Sequence, residues 1–178
     1  MSLGEREVPR PQSTSDADAA SSSEPVFRPP TAADGQRMWE ITRDSGVLDV
    51  NSSYAYVLWG AEFSDSSVVV ESEGRVVGFV TGFIRQSEPD TIFVWQVGVD
   101  ADQRGKGLAA RMLHALFDRT ADRGVVRMRT TISPDNTASQ RTFGAVARDR
   151  GLTFGGEDFL SADLMGEGHE PEDLYTLG

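Results

Sequence analysis

The chain has 178 residues, a formal net charge of -11, two histidines and no cysteine. That length suits one domain with a substantial buried core. The lack of thiols excludes disulfides, thiolate nucleophiles, zinc ribbons and iron–sulfur clusters, while two imidazoles are too few for most His-based metal sites, so no metal is expected. The acidic balance argues against nucleic acid and anionic membranes as partners.

Residues 1–25 are rich in Ser, Asp, Ala and Pro and poor in large apolar side chains, so the reading is a disordered tail ahead of a single domain over residues 26–178. The tail lacks the apolar core of a signal peptide, and no uncharged apolar run approaches the roughly 20 residues that span a bilayer. A soluble, intracellular protein is expected.

Val26-Phe27-Arg28 reads as a short strand stopped by Pro29 and Pro30. Thr31 is placed to cap a helix running through about Arg43, with Met38, Trp39 and Ile41 inward, and Gly46 interrupts it. After a polar connection, Ser52 or Ser53 caps a second helix bearing Tyr54, Tyr56, Val57, Leu58 and Phe63. Val68–Val70 and Arg75–Val80 flank Glu73-Gly74 as a β-hairpin. Thr91–Val99, apolar on both faces, is the expected central strand. Leu108, Met112, Leu113, Leu116 and Phe117 recur at helical spacing, and Gly124 ends that helix. Val125–Ile132 returns as a strand, completing a βαβ unit with a parallel pair. A further helix opens at Ser133-Pro134-Asp135-Asn136, with Ala138, Phe143, Val146 and Ala147 inward. One or two strands around Thr153-Phe154 and Leu174–Leu177 close an α/β fold of the mixed-sheet α+β kind, and no internal repeat is evident.

The turn Gln103-Arg104-Gly105-Lys106-Gly107-Leu108-Ala109 joins the central strand to its helix. A glycine-bearing basic turn of this kind presents free backbone N–H groups and a helix dipole to a phosphate-bearing ligand. It is no P-loop, because Gly107 stands where Gly-Lys needs a following Ser or Thr. It fits a dinucleotide fingerprint poorly, because the third glycine is replaced by Ala110 and an antiparallel hairpin precedes the βαβ unit. Charge is also unevenly placed: residues 103–129 are rich in Arg and Lys, whereas 155–178 carry Asp and Glu with no Lys or Arg. One region suits an anionic ligand and the other a cationic one, although ordinary solvated faces would look the same.

Arg104-Gly105-Lys106-Gly107-Leu108-Ala109, its position after the central strand, and Asn136 on the next helix together resemble the GNAT superfamily of N-acetyltransferases. The resemblance implies the acyl-CoA N-acyltransferase fold and acetyl-CoA as cosubstrate, bound where two parallel strands splay apart. Val97, Gly98 and Val99 would hold the pantetheine arm, residues Gln103 to Ala109 the pyrophosphate, and Asn136 and Ser139 further parts of the cofactor. Three segments, 42–54, 93–99 and 169–175, are similar to the diaminobutyrate acetyltransferases of ectoine biosynthesis. That likeness implies acetyl transfer to the γ-amine of L-2,4-diaminobutyrate by a cytoplasmic homodimer. Another small amine as acceptor, or a noncatalytic acyl-CoA sensor, are the alternatives.

An alkyl ammonium with a pKa of about 10.4 leaves roughly one molecule in a few thousand neutral at pH 7, so the site must favour the free amine and receive its proton. Asp49, Glu157, Asp158, Glu170 and Glu172 are the candidate carboxylates. The expected assignment gives Asp49, Trp95, Asn136 and Glu170 catalytic roles. Substrate binding falls to Asp49, Asn51, Ser52, Ser53, Tyr54, Trp95, His169, Glu170 and Glu172. Each has a plainer reading: Asp49 as a turn cap, Trp95 as core, His169 as a structural residue, Asn136 as a helix cap. Two departures from the family pattern stand out. Phe143 occupies the position, seven after Asn136, where a Tyr commonly protonates the leaving thiolate. Gly98 stands where the resembling enzymes usually carry Ala; the expectation is an eased strand bulge and little catalytic effect.

Overall fold

The structure is a computed structural model that describes residues 24–165 and 168–178. The proposed tail therefore lies, up to residue 23, outside the described residues. In chain order the elements are β1 (Val26–Arg28), α1 (Gly35–Ser45), α2 (Ser53–Glu62), β2 (Val68–Ser72), β3 (Arg75–Ile84), β4 (Thr91–Val99), α3 (Leu108–Ala121), β5 (Arg127–Ile132), α4 (Thr137–Asp149), β6 (Phe154–Leu160), α5 (Ala162–Met165) and β7 (Glu172–Leu177). The strands form one seven-stranded sheet in the order β1-β2-β3-β4-β5-β7-β6. Among the described residues, only β4 and β5 pair in parallel; the other neighbours are antiparallel. The expected mixed α/β sheet with its N-terminal antiparallel part and βαβ unit is thus present.

Local chemistry accounts for the helix boundaries. The Asp34 carboxylate accepts hydrogen bonds from the Thr31 N–H at 2.7 Å and its hydroxyl at 3.0 Å, tying a 3-10 turn over Ala32–Asp34 to the start of α1. The helix expected from Thr31 to Arg43 is this tighter turn followed by α1, and Gly46 ends it in the left-handed conformation. Ser52 is the N-cap of α2, and Asn136 caps α4 by accepting from the Ser139 N–H at 3.1 Å. β5 starts two residues later than expected, because the N–H groups of Val126 and Arg127 both turn to the Asp90 carbonyl. The short α5 had no periodicity to reveal it.

Helices cover both faces of the sheet. Ile92 and Val94 of β4 join Met112, Leu113, Leu116 and Met128 in the larger core, beneath α3 and α4. Phe79, Val69 and Val76 pack on the opposite face with Met38, Ile41 and Tyr56 of α1 and α2. β4 changes sides midway: Thr81 of β3 pairs with Gln96 while Gly82 pairs with Val94, so Trp95 is an extra, bulged residue. Strict alternation would put Gln96 on the face of Val94. The bulge turns Gln96 to the α2 face instead, and Val97 and Val99 then pack against the core of Ile92 and Val94.

The expectation for Gly98 is corrected here. It pairs in regular register with Phe79, three residues beyond the bulge, and its role is close packing: a Cβ there would lie 2.5 Å from Phe79 Cε1.

Candidate active site

The parallel pairing of β4 and β5 runs from Thr91 opposite Arg127 to Val94 opposite Thr130, and stops at the bulge. Beyond it, β4 stays with β3 through Val99, and β5 stays with β7, where Thr131 faces Leu174 and Ile132 faces Asp173. The two strands diverge and open a groove in two connected parts. One part, of about 580 Å³, is lined by Val97, Gly98, Val99, Arg104, Ala109, Asn136, Ser139 and Phe143, among others. The other, of about 520 Å³, is lined by Asp49, Asn51, Trp95, Gln96, Thr131, Phe159 and Glu172, among others. Both share Val47, Leu48, Val97, Ser133, Asn136, Ser139 and Phe143, so one continuous channel crosses the splay.

The first part fits a phosphate-bearing, chain-like ligand. Gly105 and Gly107 adopt φ of 78° and 71°, a conformation that L side chains rarely take. Ahead of α3, the backbone N–H groups from Gly105 to Ala110 have no hydrogen-bond acceptor among the described residues, as expected of a first helical turn with no side-chain cap. Arg104 lines this groove, whereas the side chains of Gln103 and Lys106, joined by a 2.8 Å hydrogen bond, line a separate hollow with Ser72 and Glu73 of the β2–β3 turn. Gly105, Lys106, Gly107 and Leu108 would thus act through their backbone; Leu108's side chain is buried in the core. The turn is braced from behind by Asp100, which binds Arg37 and, at 2.8 Å, Arg75.

The second part is acidic at one end. Glu172, at the start of β7, is carried beside the end of β5, and Asp49 reaches the same cleft from the loop after α1. Burial pushes the Glu172 carboxyl above its ordinary value; the Thr131 hydroxyl opposes this, and the negative charges of Asp49, Asp173 and Asp135 add to it. A cationic ligand between Asp49 and Glu172 would relieve that repulsion. Trp95 forms a wall, half exposed and stacked on Trp59 of α2 at a centroid distance of 5.1 Å.

The remaining predicted residues are distributed less evenly. Asn51 lines the cleft; Ser52, Ser53 and Tyr54 do not, being exposed at the start of α2. His169 and Glu170 are likewise exposed and outside the cleft, and so are Glu157 and Asp158 on β6. Phe143 is nearly fully buried yet borders both parts, so the position holds an apolar ring and no proton donor. Asn136 caps α4 and also lines the groove. Sequence reasoning missed Gln96, Thr131, Phe159, Leu160 and Met165, which complete the cleft. The polar Gln96 inside an apolar strand was the one legible signal; the others required the topology. Among the described residues, no cluster of three or more His, Asp or Glu is arranged to hold a metal ion, and no helix is long and apolar enough to cross a membrane.

Comparison with known proteins agrees with this geometry. The acetyltransferase (GNAT) family matches residues 35–145. An L-2,4-diaminobutyric acid acetyltransferase of Streptomyces coelicolor is 50% identical over 152 residues, covering 84% of this chain and 89% of that protein. One from Halomonas elongata is 39% identical over 168 residues, covering 93% and 88% respectively. The solved diaminobutyrate acetyltransferase EctA of Paenibacillus lautus, in complex with L-2,4-diaminobutyric acid and coenzyme A, superposes with a TM-score of 0.83 at 41% identity, covering 87% of this chain and 95% of that one. The chain belongs to the acetyltransferase (GNAT) family and, within it, to the L-2,4-diaminobutyric acid acetyltransferases.

Proposed function

We propose that this protein transfers the acetyl group of acetyl-CoA to the γ-amino group of L-2,4-diaminobutyrate, giving N4-acetyl-L-2,4-diaminobutyrate for ectoine biosynthesis. The observation that carries the reading is the single channel across the β4–β5 splay, with a free N–H turn toward one end and Asp49 and Glu172 at the other. Relatives named for this activity, and the neighbour solved with both ligands, support it.

Acetyl-CoA supplies the activated acetyl thioester. The reaction forms one C–N bond, breaks one C–S bond, removes a proton from the nitrogen and returns one to sulfur. Asp49 and Glu172 attract the diamine's ammonium groups, and Asn51 and the Trp95 ring orient it. A carboxylate whose pKa is raised by burial is a better proton acceptor than an ordinary one, which makes Glu172 the better placed base in this chain. Glu170 stays exposed and outside the cleft, so its expected catalytic role has no geometric support in the single chain. With Phe143 at the usual donor position, the sulfur takes its proton from water or is stabilised by backbone N–H groups.

A homodimer is supported by the outer face of α2, where Tyr54, Val57 and Leu58 leave an apolar surface exposed. A cytoplasmic location accords with an intracellular thioester donor. The test is direct: purified protein, acetyl-CoA and diaminobutyrate, with thiol release followed and the product's acetyl group located by mass spectrometry. Acetylation at N4, faster than on ornithine, lysine or spermidine, is expected; acetylation at N2, or an equal rate on a competitor, overturns the assignment.

A further inference from the structure

The segment 47–51 supplies Val47, Leu48, Asp49 and Asn51 to the cleft, yet it belongs to no helix or strand. Its beginning is held by the Ser45 hydroxyl, which accepts from the N–H groups of Val47 at 3.2 Å and Leu48 at 3.1 Å. From there to Asn51, one hydrogen bond among the described residues ties it to the sheet: the Gln96 amide nitrogen donates to the Asp49 carbonyl at 2.8 Å. The other end of that amide, Gln96 Oε1, accepts from the Tyr56 hydroxyl at 3.0 Å. Gln96 is buried and Tyr56 fully so.

A carboxamide has two unlike ends, and rotating it by half a turn exchanges a donor for an acceptor. The Asp49 carbonyl can only accept, so a flipped Gln96 would face it oxygen to oxygen. The acceptor-only carbonyl thus selects the amide orientation, and the Tyr56 hydroxyl, donating to Oε1, satisfies and holds the other end in that orientation. Tyr56 is itself held edge-on against Phe79, with ring centroids 6.1 Å apart. The bulge at Trp95 makes the arrangement possible, because it turns Gln96 toward α2 and away from the face of Val94. One irregularity therefore sets both the Trp95 wall and the anchor of the loop bearing Asp49.

We infer that Gln96, held in place by the Tyr56 hydroxyl, is the positioning residue that fixes the acceptor-binding segment 47–51. Its effect falls on the diamine, because Asp49, whose carbonyl it holds, and Asn51 line the acceptor part alone, whereas Val47 and Leu48, which border both parts, are held by Ser45. The inference rests on the proposed acceptor cleft.

The test compares wild type, Tyr56→Phe, Gln96→Leu and the double variant by KM for each substrate, with thermal unfolding to verify that each is folded. Tyr56→Phe keeps the ring and loses only the hydroxyl. It is expected to raise the diaminobutyrate KM about two- to twelvefold, the range to which a net hydrogen bond of about 0.5–1.5 kcal/mol converts. The acetyl-CoA KM stays at its wild-type value. Because the hydroxyl acts through Gln96, the double variant is no worse than Gln96→Leu alone. Should Gln96→Leu fail to fold, Tyr56→Phe decides by its KM split. An unchanged acceptor KM in Tyr56→Phe, parallel shifts in both KM values, or additive effects in the double variant would overturn the inference. If wild type itself releases no thiol with diaminobutyrate, the reading of the cleft fails instead.

Discussion

Replacing Gly98 by Ala adds one methyl group to the most crowded point of β4. The new Cβ would lie 2.5 Å from Phe79 Cε1, 2.9 Å from its Cζ and 3.2 Å from Ile41 Cγ2. Carbon atoms in contact prefer about 3.5–4.0 Å, so the Phe79 ring must retreat by about 1 Å. It has little room: Phe79 is fully buried, Ile41 nearly so, and Tyr56 packs edge-on against the ring. Overpacking of this kind costs about 1–3 kcal/mol, of which the lower chain entropy of Ala in the unfolded state returns about 0.4–1 kcal/mol. A net loss of about 1–2 kcal/mol lowers Tm by about 2–8 °C in a domain of this size. The displaced ring also presses on Tyr56 and, through it, on Gln96, so the diaminobutyrate KM rises. Thermal unfolding and steady-state kinetics with either substrate varied read both effects. An unchanged or higher Tm together with an unchanged acceptor KM would refute the packing argument. Removing the obstruction in the double variant Gly98→Ala, Phe79→Leu should cost less stability than the sum of the two single losses, because the clash is then relieved.

Gly107→Val forces a β-branched residue to φ near 71° at a place where no atom crowds its Cβ, so the penalty is conformational and the turn distorts. Calorimetry should show acetyl-CoA affinity weakened about tenfold, the equivalent of about 1.4 kcal/mol, and an intact affinity would remove the turn from the cofactor site. Glu172 has a folded-state pKa raised above its unfolded value, so its ionised form is the one the fold disfavours. Glu172→Gln should match wild-type Tm in acid, gain on it progressively as pH rises above the ordinary glutamate range, and lose kcat/KM for the diamine; a stability gap independent of pH would contradict the assigned strain. Asp34 is the opposite case, its carboxyl held below the ordinary range by hydrogen bonds from Arg28 at 2.8 and 2.9 Å and from Thr31. Asp34→Asn should cost about 1.5–3 kcal/mol at neutral pH, with the gap closing as pH falls through the lowered pKa; an equal loss at pH 3 and pH 7 would exclude the ion pair as its source.

Local signals determined much of this protein. Thr31 and Asp34, Gly46, and Asn136 set helix ends through contacts within a few residues, and apolar spacing located α3 and β4. Gly105 and Gly107 declared the phosphate turn because its backbone conformation is itself a local property. Asp49 and Asn51 were recognisable, and the structure brings both to the cleft. Tertiary structure decided the rest. A β-strand alternates with a period of two, so one inserted residue reverses every later side chain, and nothing local to Trp95 announced that Gln96 would face Tyr56. Nor does composition distinguish Glu170 from Glu172. Two residues apart, one remains in solvent and the other enters the cleft, because β7 inserts between β5 and β6 and begins at Glu172. That pairing joins residues 41 to 49 positions apart, and its register exists only once the sheet has assembled.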